Sequence, residues 1–169
     1  HFAPVFEPDA ETGEALTPGA HKRGTELFCH LKHAPAVAHA HIDKACGVFA
    51  AAPNVGLIDT EGDIIIDDVF NTPDDVELFA AMLSGSRLRD FLIVDALERP
   101  RAAGAVLLTI ARNFRGEIRA NALCLWAMVA LSQGLLGWAS AALSCAEGEL
   151  PGHNPVSYTH LTLPTTPYV

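Results

Sequence analysis

Residues 102–146 read AAGAVLLTIARNFRGEIRANALCLWAMVALSQGLLGWASAALSCA, and their apolar side chains recur at helical rather than alternating intervals. The spacing predicts one helix over 102–114 and another over 117–133, where Ile118, Leu123, Trp126, Ala127, Ala130 and Leu131 follow the helical period. Gly134 supplies a stop, because glycine enters the left-handed conformation that ends helices without a Cβ clash. A further helix is predicted from Leu135 or Leu136 to Ala146. The connection is so short that the last two helices must fold back on each other as an antiparallel pair.

Upstream, a helix is predicted over 86–99 with Leu88, Leu92 and Asp95 or Ala96 at helical intervals, closed by Pro100, which pushes the preceding residue out of helical geometry. Asn71-Thr72-Pro73-Asp74-Asp75 is a helix start. Thr72 can accept from an orphan amide, Pro73 suits the first helical position, and the two aspartates favour the positive end of the dipole. Val76, Phe79, Ala80 and Leu83 continue the stripe as far as Gly85. Five helical segments therefore fill 71–155.

The remainder reads differently. Two β-branched runs, Val55-Gly56-Leu57-Ile58 and Ile64-Ile65-Ile66, flank Thr60-Glu61-Gly62-Asp63, which predicts a β-hairpin over 55–70. Residues 25–52 have helical composition broken at Pro35. Residues 1–24, rich in Pro, Gly and acids, read as an extended N-terminal arm of a truncated chain. The expected architecture is α+β and helix-rich: one globular domain over 25–155, mixed helix and hairpin over 25–70, helical over 71–155.

The chain begins at His1 rather than methionine, so an upstream piece is expected. At the other end, residues 156–165, VSYTHLTLPT, resemble one reading frame of a transposase adaptor used in sequencing libraries, and 156–169 is read as a non-native tail of a metagenomic fragment. The tail carries no charge.

Eleven basic and 20 acidic residues give a net charge of −9. A nucleic-acid-binding surface is disfavoured, since phosphate neutralisation needs a basic face. Between Lys44 and Arg87 there is no Lys or Arg but there are eight acids from Asp59 to Glu77, a block that could attract cations or a basic partner. Cys29, Cys46, Cys124 and Cys145 have neither metal-site spacing nor the density of a disulfide scaffold, and are expected to be reduced, mostly buried, and cytoplasmic. No apolar run reaches the eighteen or so residues of a membrane span.

One string suggests chemistry. His39-Ala40-His41-Ile42-Asp43-Lys44 resembles the HxHxDK motif of metal-dependent amidohydrolases, in which two histidines leaving a barrel strand ligate a metal. Alternate strand residues share a face, so His39 and His41, with Asp43, could converge on one ion if 36–41 were extended; on a helix they would diverge. A (β/α)₈ barrel needs about 250 residues and later ligands, and the hairpin and helices that follow do not alternate as that fold requires. Asp59, Glu61, Asp63, Asp67 and Asp68 invite a calcium site, but Gly62 is misplaced for an EF-hand loop. His21, His30 and His33 read as solvated imidazoles, and Cys29 stands one helical turn from His33.

Within the helical half, Ala127, Gly134, Ala139, Ala146 and Pro151 are spaced as in one tetratricopeptide unit, where small residues let two helices approach. Leu88-Arg89-Asp90, Ile110-Ala111-Arg112, the run Ala122 to Leu131, Ser132-Gln133-Gly134, Trp138 to Leu143 and Leu150-Pro151-Gly152-His153 resemble the C-terminal part of an actinobacterial family described as a domain of unknown function, number 4192. This resemblance begins after Asn71, and Gln133-Gly134-Leu135-Leu136 replaces that family's usual turn. It implies a cytoplasmic protein without an assigned reaction.

The sequence thus favours a noncatalytic interaction or scaffolding module: no catalytic residues, no cofactor, and a protein partner at the helical region rather than nucleic acid or membrane. The alternative is an amidohydrolase fragment with His39, His41 and Asp43 at a metal.

Overall fold

A computed structural model describes residues 3–52 and 69–152. Helix α1 is Ala3–Phe6, α2 Ala10–His33, α3 Pro35–Cys46 and α4 Val48–Ala51. After residue 69 come α5 Pro73–Met82, α6 Ser86–Arg89, a 3₁₀ turn Asp90–Leu92, α7 Ile93–Glu98, α8 Pro100–Asn113, α9 Gly116–Ser132 and α10 Leu136–Glu149.

Every regular element among the described residues is a helix, so the expected α+β class is corrected to a helical bundle. The hairpin expected over 55–70 falls on residues 53–68, outside the described residues. Of its span only Val69 and Phe70 are described; both are buried, Val69 is helical, and Phe70 packs edge-on against Phe79 at 5.8 Å.

The extended arm expected over 1–24 is also corrected. Asp9 caps α2 by accepting from the Thr12 amide at 3.0 Å, and the helix runs on through Pro18. Its inward face consists of Gly13, Ala20, Gly24 and Leu27, small residues that admit close neighbours but register weakly as an apolar stripe. The Asp9 amide donates to the Arg112 carbonyl at 2.6 Å, and the Arg115 amide donates to Thr17 Oγ1 at 3.1 Å, tying α2 to the α8–α9 junction.

Two prolines set boundaries in one way. Ala34 and Arg99, the residues before Pro35 and Pro100, leave helical geometry at φ −144° and −129°, and each proline takes the first position of the next helix. Thr72 caps α5 as expected, accepting from the Asp75 amide at 3.1 Å.

The core centres on α8 and α9. Residues 102–111 and 118–130 are buried on every face, and such all-round burial marks core helices. Helix α9 packs against α7, α8 and α10. Helix α9 ends at Gly134, φ +79°, with the Leu135 amide donating to the Ala130 carbonyl at 2.9 Å and the Gly134 amide to Leu131 at 3.0 Å. This glycine-centred closure turns the chain into α10. Phe6 stands edge-on to Trp126 at 5.0 Å and to Trp138 at 6.1 Å, sealing the core from the N-terminal side.

Candidate functional site

His39, His41 and Asp43 all lie on α3, where alternate side chains depart about 200° apart. His39 is exposed and stands edge-on to Phe91 at 5.9 Å; His41 lines a cavity of about 70 Å³ with Arg23, Glu26 and His30; Asp43 is exposed. The strand needed to bring the two histidines to one ion is a helix, because Pro35 starts it and Ala38, Ile42 and Ala45 bury its inner face. Among the described residues no three His, Cys, Asp or Glu side chains gather as a metal site. The five acids of the calcium expectation lie outside the described residues. The rest of that acidic block is paired, Arg23 with Asp74 at 2.6 Å and Glu77 at 3.3 Å, Lys44 with Asp75 at 3.5 Å.

All four cysteines are free, but only Cys124 is fully buried; Cys46 and Cys145 are half-buried, and Cys29 is exposed beside no built site. Burial, then the neighbouring Asp95 and Asp43 carboxylates, push the Cys46 thiol up to about 12. It stays protonated at neutral pH, the reverse of a reactive thiolate.

A different surface is left open by packing. Over 86–98 Leu88 and Leu92 point into the core, and of the two alternatives for the third position Ala96 is buried and Asp95 only half-buried, but the helix is interrupted by the 3₁₀ turn at Asp90–Leu92. The interruption coincides with a buried polar tie. Arg89 turns inward, where NH1 donates to Asn121 Oδ1 at 3.0 Å; Asn121 Nδ2 donates to the Leu83 carbonyl at 2.8 Å; and Arg89 Nε donates outward to Asp90 at 3.1 Å. With Arg89 anchored, Phe91, Val94 and Leu97 form an outward stripe one helical turn apart, 38 %, 63 % and 37 % exposed. The backbone under Phe91 is pinned to α3, whose Cys46 Sγ donates to the Phe91 carbonyl at 3.5 Å. The string FLIVDAL looks like core throughout; only the inward anchor of Arg89 and the burial of Leu92 and Ala96 decide which of its residues face water.

Charged groups surround the stripe. Asp95 and Asp43 both lie near Cys46, and Glu98 follows Val94 by one turn. None of the three forms an ion pair among the described residues, whereas Asp90 is held by Arg89 at 3.1 Å. Immediately C-terminal to the stripe, Glu98, Arg99 and Arg101 line a hollow of about 340 Å³ with Phe49.

A second recess, about 460 Å³, lies between α2 and the α5–α6 turn, with Thr25, Ser84, Ser86 and Glu117 in its walls. Lys32 stands 4.7 Å and Arg87 6.0 Å from the centre of the Phe28 ring in that wall, so its aromatic face is already taken by cations.

The family model described as Domain of unknown function (DUF4192) matches residues 3–155. The resemblance read from the C-terminal half thus extends through the N-terminal helices. No curated protein and no solved structure matches the chain.

Proposed function

The chain belongs to that domain-of-unknown-function family, and from this premise we propose that it is a noncatalytic module that docks another protein on the Phe91–Val94–Leu97 stripe. The single observation behind this reading is the stripe itself. Three large apolar side chains, Phe91 in the 3₁₀ turn and Val94 and Leu97 on α7, face water at three-residue intervals while Leu92 and Ala96 between them are buried, and clustered apolar exposure marks interaction surfaces where scattered exposure does not. The backbone beneath is fixed by the Arg89–Asn121 tie and by α3, so the surface is preformed rather than assembled on contact. The same reading places the module in the cytoplasm, where four free cysteines remain reduced.

The test is affinity capture from a native lysate with the wild-type chain and with Val94→Glu, folding of both checked by circular dichroism. A partner retained by the wild type and lost with Val94→Glu supports the reading. Equal retention by both, or none by either, sinks it.

A further inference from the structure

The stripe is apolar along its length and acidic at its sides, and that combination narrows what can cover it. An apolar face of about two turns is matched by another amphipathic helix presenting anchors at the same spacing. The charges at the rim then choose among such helices. Asp95 and Glu98 share α7 with Val94, Asp43 lies near Cys46, whose thiol meets the Phe91 carbonyl, none of the three has a cationic partner among the described residues, and the whole chain carries a net charge of −9, so approach of a cationic segment is favoured at long range and at contact. The rim turns basic only past Leu97, at Arg99 and Arg101, where the hollow beside Phe49 begins.

Resting on the docking role proposed above, we infer that the occupant of the Phe91–Val94–Leu97 stripe is a basic amphipathic helix of a partner protein, its apolar side on the stripe and its Lys or Arg residues against Asp43, Asp95 and Glu98.

The test uses the full chain and two fluorescein-labelled helical probes of about 18 residues, five turns. One has a leucine face and a lysine face; the other replaces every lysine with glutamate. Fluorescence anisotropy is read for wild type, for Asp95→Asn with Glu98→Gln, and for Val94→Glu, all verified as folded. The leucine–lysine probe is expected to bind wild type at least about tenfold tighter than its acidic counterpart, since like charges at the rim oppose the latter. Removing the two rim charges weakens the basic probe several-fold and flattens its salt dependence.

Val94→Glu is the decisive variant, because it adds a negative charge while spoiling the apolar stripe. Weaker binding of the basic probe shows that the stripe seats it. Unchanged or tighter binding reveals adhesion through net charge alone and overturns the inference. Tighter binding of the acidic probe, lost with Val94→Glu, overturns the basic partner but leaves the docking role standing. A dimer in sedimentation velocity that Val94→Glu dissolves would make a second copy the occupant and overturn it too. Binding of neither probe overturns the inference, and the capture experiment then decides separately whether the docking role survives.

Discussion

Asn121 interrupts the most apolar run in the sequence, and its position was legible there while its purpose was not. Its partners come from 32 and 38 residues upstream, Arg89 and the Leu83 carbonyl, and no local pattern pairs residues so far apart. Asn121→Leu takes an acceptor from Arg89 and the donor from a buried carbonyl. Stability is expected to fall by about 2–3 kcal/mol, the range for a buried hydrogen bond to a charged group plus an unsatisfied partner; a urea midpoint equal to wild type would disprove it. Glu149 was equally invisible. Its carboxylate, at the end of α10, accepts from the Gly116 amide at 2.7 Å and Arg115 Nε at 3.0 Å, and lies 3.3 Å from Arg119 Nε, which is not aligned to donate. Burial pushes the Glu149 pKa up, but the Arg115 hydrogen bond, the Gly116 amide and the two guanidinium charges outweigh it, and the folded value lies below the ordinary one. A carboxylate with a depressed folded pKa stabilises fully above its unfolded pKa and loses that contribution as pH falls through the folded one. Glu149→Gln should therefore cost about 2 kcal/mol at neutral pH, and the gap from wild type should close as the solution is acidified below the ordinary glutamate range. A gap independent of pH in paired denaturation series would exclude this account.

Elements were legible where their signals are local. The Thr72–Pro73–Asp74 start and the Gly134 stop are short-range hydrogen-bond and φ constraints, and the structure has both. Helix α2 was read only from residue 25 onward, and its first part was missed because its inward face there is built from Gly13, Ala20 and Gly24, whose value lies in what they leave room for. A Cβ on Gly24 would run into Ser84 Oγ, come 2.9 Å from Ser84 Cβ and 3.0 Å from the Ala81 carbonyl oxygen at the end of α5. Gly24→Ala is thus expected to destabilise by about 1–3 kcal/mol through overpacking, despite alanine's higher helix propensity. Gly148, inside α10 with nothing within 4 Å of its would-be Cβ, supplies the opposite case, and Gly148→Ala should stabilise by about 0.5–1 kcal/mol. Melting temperatures that rise for both variants would show that propensity rather than contact governs α2.

At the scale of the whole molecule the question is whether the N-terminal segment, residues 1–24, belongs to the bundle. Composition suggested an appendage, since its few bulky residues sit among Pro, Gly and acids. Packing says otherwise: Phe6 is fully buried between Trp126 of α9 and Trp138 of α10, and α2 joins the α8–α9 junction through the Asp9 amide and Thr17. The two halves of the chain thus share one core, and helix pairs distant in sequence depend on each other. Phe6→Ala removes a buried aromatic from this junction and should cost about 3–5 kcal/mol, while deletion of residues 1–24 should abolish cooperative unfolding and move tryptophan emission to the red as Trp126 and Trp138 meet water. An appendage makes the contrary prediction, because its removal leaves the core unchanged. If the shortened chain keeps the wild-type urea midpoint and blue-shifted emission, α2 is a passenger on a bundle complete without it, and the close approach at Gly24 carries no weight in holding the fold.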